Sequence, residues 1–341
     1  MPTENISKMK TLLKSLEKPV LIISTKVGRG MFYMGDALKE SFDDQAGIHH
    51  RAIEEFLPRA NVHEDVVRYK MISSHAPFLL NLVYRFPVIY YRKYLRERLL
   101  GRRLERLEET IQRFGIKTVV CVSHRAAFWV SNHKRLTRGR FELWDLLGEY
   151  GNNYGYKHLF WRQIDGFLSP IPARELRFRI PRRVRFEQVA LPVRRAYLDL
   201  AGIDGDPNKV LLICGFWGQG PILKILKQLL RQTPSLHVLV VCGENAKAYE
   251  AVRAYARGRA NISPFEVVES LVPLLRQCAG VITKPGISTL LEAHGANRQI
   301  FLLKGMPVAE DNNARYAISH FGAKWYDPEV FSKWLREIGR R

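Results

Sequence analysis

GVITKPGISTLLEAHGANRQIFLLKGMPVAEDNN, residues 280–313, is the stretch that decides the fold. Val281-Ile282-Thr283 reads as the end of a buried strand, Lys284-Pro285-Gly286 as a tight turn, and Ser288-Thr289-Leu290-Leu291-Glu292-Ala293 as the opening of a helix. A helix N-terminus therefore faces a strand end. Its unpaired N–H groups and the positive end of the helix dipole make such a turn a phosphate cradle, with Gly286 admitting close backbone approach and Ser288 or Thr289 capping. Glu292, one turn in, is placed to reach a ribose. A second strand follows at Gln299-Ile300-Phe301-Leu302-Leu303, then a loop into Glu310-Asp311-Asn312-Asn313.

The alternation of strand and helix continues on both sides. Residues 19–25 read as a short buried strand, Gly28 and Gly30 lie in the turn after it, and a helix is expected from about Met31 to Phe42. Tyr33 stands where a dinucleotide fingerprint needs a third glycine, and no Gly-Lys-Ser/Thr follows for a P-loop. An amphipathic segment at 104–114 leads to a strand at 116–122, ending at Ser123-His124-Arg125. After a polar connection at 201–208, a strand at 209–214 runs into the loop Gly215-Phe216-Trp217-Gly218-Gln219-Gly220, with Pro221 suited to the first helical position. Phe216 and Trp217 are expected to pack into the core. Strands at 236–241 and 262–264, helices at 246–255 and 267–277, and a terminal helix at 328–341 complete the pattern. The reading is α/β, two Rossmann-like domains facing one cleft.

The two turns of the opening stretch resemble the donor-binding signature of glycosyltransferase family 28, in its monogalactosyldiacylglycerol synthase and processive diacylglycerol glucosyltransferase branch. That pattern is close to ITKxGxxTxxEA followed by a Pro-Gly-Gln-Glu-x-x-Asn loop. Ile282, Thr283, Lys284, Gly286, Thr289, Glu292 and Ala293 match the first part; Pro307, Glu310 and Asn313 match the second, with Val308 and Ala309 where the family has Gly and Gln. A generic βαβ unit also carries Gly, Ser and Thr at its turns, but several polar residues recur here in register across two consecutive turns. The resemblance implies the glycosyltransferase B fold, with an acceptor and membrane-contacting domain at 1–195 and a nucleotide-sugar donor domain at 196–341. It also implies a donor site formed by Gly215, Gly218, Gly220, Lys284, Gly286, Ser288, Thr289, Glu292, Glu310 and Asn313. Gly28 and Gly30 would form the acceptor-side loop, where the family reads Gly-x-Gly-His; the histidine position is Met31, whose thioether cannot take a proton at neutral pH. His124 matches a family histidine at a strand end, with Arg125 in place of a Pro, and Glu149 lies near a family Asp, so these two are the catalytic candidates.

Composition accords with this reading. The 341 residues suggest about two domains, and 46% hydrophobic content is ample for large cores. Cys121, Cys214, Cys242 and Cys278 each sit in or beside apolar segments without metal-ligand spacing, and read as buried thiols of a reducing compartment; no metal or other cofactor is expected. The chain is polar up to Pro19, against a secretory signal, and no apolar run approaches the roughly 20 residues of a spanning helix. The net charge of +21 calls for an anionic partner. Basic residues concentrate at 92–98, at Arg102-Arg103 and at 177–185, and the first cluster follows an aromatic and aliphatic run at 77–91. That combination reads as either a core helix with a solvated basic end or an interfacial contact with anionic lipid. The expected partners are a UDP-sugar, a lipid acceptor and an anionic membrane surface, with no nucleic acid, for a cytoplasmic protein peripheral to a membrane. The expected activity is hexosyl transfer to a diacylglycerol-type lipid. A non-hydrolysing nucleotide-sugar epimerase and a degenerate sugar-nucleotide binder are the alternatives.

Overall fold

The computed structural model describes residues 3–58, 101, 103–151, 154–305 and 309–339. Two compact units divide the chain, one of Met1–Arg194 with Pro307–Asn312, the other of Arg195–Met306 with Asn313–Arg341.

The first unit holds a parallel sheet of strands β1 (Val20–Ser24), β2 (Ile48–Ala52), β3 (Thr118–Cys121), β4 (Glu142–Leu146), β5 (Gly166–Ser169) and β6 (Arg185–Gln188), in the order β2-β1-β3-β4-β5-β6. β1, VLIIS, is buried at all five positions. A parallel strand covered on both faces has no polar side to alternate with. The described helices here are α1 (Thr3–Ser15), α2 (Gly30–Glu40), α3 (Glu105–Phe114) and α4 (His124–Thr137). α4 starts where it does because the Ser123 hydroxyl accepts from the Ala126 N–H at 3.2 Å.

In the second unit, β7 (Asp206–Ile213), β8 (His237–Val241), β9 (Ile262–Phe265), β10 (Cys278–Thr283), β11 (Gln299–Leu302) and β12 (Lys324–Trp325) pair in parallel as β12-β11-β10-β7-β8-β9. Around them lie α5 (Arg195–Leu198), α6 (Ile222–Gln232), α7 (Ala246–Ala256), α8 (Val272–Gln277), α9 (Ile287–Gly295), α10 (Ala309–Phe321), whose residues up to Asn312 group with the first unit, and α11 (Pro328–Ile338). One apolar cluster joins β7, β8, β10 and β11 to α6 and α11 through Leu212, Val240, Ile282, Phe301, Leu226, Phe331 and Trp334. Arg298 is 6% exposed and staples the base of this unit, its guanidinium donating to the carbonyls of Leu275 and Ile203, both at 2.7 Å.

Each sheet reverses its order once. In the first unit the reversal falls between β1 and β3, in the second between β7 and β10. Crevices for ligands in doubly wound sheets open at the carboxyl ends of such strands, so the turns after β1, β3, β7 and β10 are the ones that matter. The expected elements are present, several with shifted bounds. α8 begins at Val272, five residues later than the reading of 267–277, and Pro273 sits in its first turn. Pro221 caps α6 from outside rather than occupying its first position. β7 starts at Asp206, inside the segment read as a polar connection. No helix among the described residues is long and apolar enough to cross a membrane. The run at 77–91 and the basic residues 92–98 and Arg102 lie outside the described residues.

Candidate functional site

At the switch point of the second unit two turns lie side by side, because β7 and β10 are neighbours. Gly215, Gly218 and Gly220 form the turn after β7; Gly215 and Gly218 have positive φ, 73° and 61°. Gly218 must also be bare, since a β-carbon there would stand 1.8 Å from the Cys242 carbonyl oxygen. After β10 the Lys284 carbonyl accepts from the Thr283 hydroxyl at 3.0 Å and from the Gly286 N–H at 2.7 Å, closing the turn. The Lys284 side chain reaches across to the first turn, its Cε 3.9 Å from where a β-carbon of Gly215 would be.

α9 then starts at Ile287 with Gly286 as its N-cap and no capping side chain. The expectation that Ser288 or Thr289 caps is corrected. Both lie inside the helix, so the Ser288 hydroxyl bonds one turn on to the Glu292 carboxylate at 3.1 Å. The first-turn N–H groups thus lack a side-chain cap, the arrangement in which a helix N-terminus receives an anion. Glu292 is 6% exposed and Asn313 2%. Asn313, expected in the donor site, donates from its amide to the Pro285 carbonyl at 3.2 Å and so holds the turn in shape. Phe216 and Trp217, expected in the core, are only partly buried, because the turn carries them past the end of β7; the Phe216 carbonyl accepts from the Glu244 N–H at 2.9 Å.

At the switch point of the first unit, Gly28 and Arg29 turn with positive φ, 69° and 58°, into α2, where Gly30 is the first residue. His124 opens α4, packed under the 3-10 turn Tyr154–His158: its ring lies 5.7 Å from that of Tyr156, and a β-carbon on Gly155 would be 2.1 Å from its Cδ2. Burial, helped by the Arg125 and His158 charges, brings its pKa down to about 4. Glu149 follows β4 and is shifted the other way, up to about 7, first by burial and then by the charge of Glu310, in the first turn of α10. Met31 and Met34 close over the residue before it. A β-carbon on Gly148 would be 2.6 Å from the Met31 sulfur and 3.2 Å from that of Met34.

Two polar networks at this edge escape sequence reading. Glu54 accepts from the Thr25 hydroxyl at 2.5 Å and the Lys26 N–H at 3.0 Å, with Arg125 Nη2 3.9 Å away. His50 sits between Asp36, 2.7 Å from Nδ1, and the buried Ser24 hydroxyl, 2.7 Å from Nε2, tying β1, β2 and α2 together. β2 is IHHRA, without the apolar run that marks a strand, so nothing local placed Glu54 or His50 at the end of β1. Asp145 on β4 is fully buried with both carboxyl oxygens unpartnered, and burial raises its pKa well above the carboxylate range.

No family model matches the chain. Over 131 residues, 38% of this chain and 34% of the relative, it is 34% identical to a processive diacylglycerol beta-glucosyltransferase of Bacillus mycoides (strain KBAB4). The chain spans about a third of the length of the curated relatives it matches. Among solved structures, Acinetobacter baumannii MurG superposes with a TM-score of 0.55 at 14% identity, covering 94% of this chain and 90% of that one. Arabidopsis thaliana UGT89C1 complexed with quercetin gives 0.54 at 11% identity over 94% and 90%. The chain therefore has the glycosyltransferase B fold, and its resemblance to processive diacylglycerol glucosyltransferases rests on sequence identity as well as on the two turns.

Proposed function

We propose that the protein is a hexosyltransferase that moves a sugar from a UDP-sugar to a membrane lipid, a diacylglycerol-type acceptor being the first choice. The observation that carries this is the paired turn at the second unit's switch point: Gly215 to Gly220 beside Lys284 to Gly286, opening into an uncapped α9 with buried Glu292 behind it. The likeness to processive diacylglycerol beta-glucosyltransferases supports the same reading.

In this mechanism the diphosphate lies against the first turn of α9 and Lys284, and Glu292, oriented by Ser288, holds the ribose hydroxyls. Charge develops on UDP as the glycosidic bond breaks. Fixed N–H groups, the helix dipole and the Lys284 ammonium stabilise it without rearranging. Glu310 contacts the sugar. The acceptor hydroxyl needs a base, and the two candidates differ. An imidazole held at about 4 is a weak base, whereas a carboxyl near 7 is poised for transfer at neutral pH. Glu149 therefore takes the base role, and His124 packs the turn above α4. The protein works at a membrane surface, drawn there by its positive charge.

UDP release from a panel of UDP-sugars, with and without lipid vesicles, tests the assignment. Release that depends on lipid is expected; UDP binding without turnover under any condition would leave a degenerate binder instead. Glu292→Ala should weaken UDP binding by about 1.5–3 kcal/mol, the range for a hydrogen bond to a charged group. Unchanged affinity by calorimetry would remove Glu292 from the site.

A further inference from the structure

We propose that the neighbouring helices α6 and α7 present a face of the second unit that docks on an anionic lipid bilayer by charge alone. The inference rests on the transferase reading for its choice of a bilayer, and it names a surface in the unit opposite to the one where the sequence concentrates its basic clusters.

The sequence of α6, ILKILKQLLRQ, buries Ile222, Ile225, Leu226 and Leu229 and leaves Lys224, Lys227 and Arg231 exposed, at spacings of three and four that set them along one stripe. α7 and the turn after it leave Lys247, Arg253, Arg257 and Arg259 exposed around a buried Val252. From Pro221 to Ser235 and from Ala246 to Asn261 the one acid is Glu250, and it is bonded to Arg253 at 3.1 Å. Seven cations thus stand against one carboxylate. The two helices pack on each other, and Tyr255 joins their charges: the Lys227 ammonium from α6 lies 5.2 Å from its ring centre and the Arg259 guanidinium 4.3 Å. α11, which also packs on α6, carries Glu329 and Glu337 with Lys333 and Arg336, and leaves the excess unchanged.

The chemistry of the face narrows the partner. Like charges crowded together repel, and an anionic surface within a Debye length of about 8–10 Å relieves that repulsion. The large apolar side chains exposed among the described residues are Leu198, Val267, Ile318, Trp325 and Val330, none of them on α6 or α7, so the contact is adsorption without insertion. A single-stranded nucleic acid asks for exposed rings on which bases stack. Tyr249 and Tyr255 are half-buried, and Tyr255 already holds its two cations. A bilayer with anionic lipid asks only for an array of cations, which two adjacent stripes provide, and the acceptor of the transferase reading lies in a bilayer.

The test is co-sedimentation of the full chain with vesicles of phosphatidylcholine, with and without phosphatidylglycerol, alongside binding to duplex DNA at the same salt. Wild type is compared with a face variant combining Lys224→Gln, Arg231→Gln and Arg257→Gln. A control variant combining Arg276→Gln, Arg315→Gln and Lys324→Gln removes the same charge from α8, α10 and β12. All six positions are exposed and glutamine is a good helix former, so both variants should fold. The face variant should lose on the order of 100-fold in partition onto the anionic vesicles, about five-fold per charge, and the control less than about ten-fold. Equal losses in the two variants, or wild-type binding that neutral vesicles match, would overturn the proposal. Wild type that binds duplex DNA and not the vesicles would overturn it in favour of a nucleic-acid surface. Partition is read without turnover, so the two readings fail separately. Lipid-dependent UDP release with the face variant bound as tightly as wild type sinks the face and keeps the transferase; face-dependent partition with no transfer under any condition sinks the transferase and keeps the face.

Discussion

Glu149 and His124 have exchanged the chemistry their residue types suggest. Burial removes the imidazole's useful range by bringing it to about 4, and brings the carboxyl into that range at about 7. The shift on Glu149 has a consequence for stability. Its folded pKa lies above the ordinary 4.5, so the folded state holds the proton more tightly than the unfolded chain. That contribution is complete below about pH 4.5 and is lost as pH rises through about 7. Glu149→Gln keeps a neutral group at all pH. The stability of the variant relative to wild type should therefore grow between pH 5 and pH 8, by an amount on the order of 2–3 kcal/mol at 1.4 kcal/mol per tenfold. Urea unfolding at the two pH values measures it; a difference independent of pH would mean that Glu149 ionises normally. The residue types of the pair were legible in the sequence, but the direction of their shifts was not. Those follow first from burial of both groups, the His124 ring lying under Gly155, and then from the charge of Glu310 on Glu149, contacts that join residues distant along the chain.

Among elements, the turn after β7 is the most constrained. Gly218 combines a positive φ of 61° with a neighbouring carbonyl 1.8 Å from any β-carbon, on a loop further tied by Asn245 Nδ2 donating to the Gly218 carbonyl at 3.0 Å. Gly218→Ala should cost about 2–4 kcal/mol, combining left-handed strain with a clash against backbone that cannot rotate away. Thermal denaturation reads this directly. A Tm within a degree of wild type would show the loop to be adaptable and would weaken its part in a preformed donor site. The neighbouring element, α9, was readable as a helix from its apolar spacing, yet its cap was misassigned. Ser288 and Thr289 have the right chemistry for capping, but the helix begins at Ile287, one residue before them, and Ser288 turns to Glu292 instead. A one-residue difference in the start of a helix changes which hydroxyl faces the N–H groups.

For the whole molecule, two parallel six-stranded sheets with a single order reversal each place the candidate turns, and the net charge of +21 is what the membrane proposal rests on. Exposed arginines at 174, 177, 179, 182, 183 and 185 line the approach to β6 and the strand itself, which is the edge of its sheet. Binding to vesicles containing anionic lipid should exceed binding to neutral vesicles and should fall as salt shortens the Debye length below its value of about 8–10 Å at 0.10–0.15 M. Co-sedimentation across a salt series decides the matter. Equal binding to both vesicle types would remove the electrostatic part of the membrane proposal.

Local periodicity was enough to read β1, β3, the main strands of the second unit and the glycine-bearing turns after β1, β7 and β10, because each is encoded in a few adjacent residues, whereas β2, β4 and β5 were not read. Resemblance in two turns was enough to suggest the donor chemistry. The tertiary structure alone decided which turns became neighbours: β7 pairs with β10 across 64 intervening residues, from Ile213 to Cys278, and β1 with β3 in the same way. It alone gave Glu54 its partners at the end of a polar strand, and set two methionines on Gly148 beside Glu149. Side-chain ionisation depends on the water and charge that folding removes or brings close, and neither is written in the neighbouring residues.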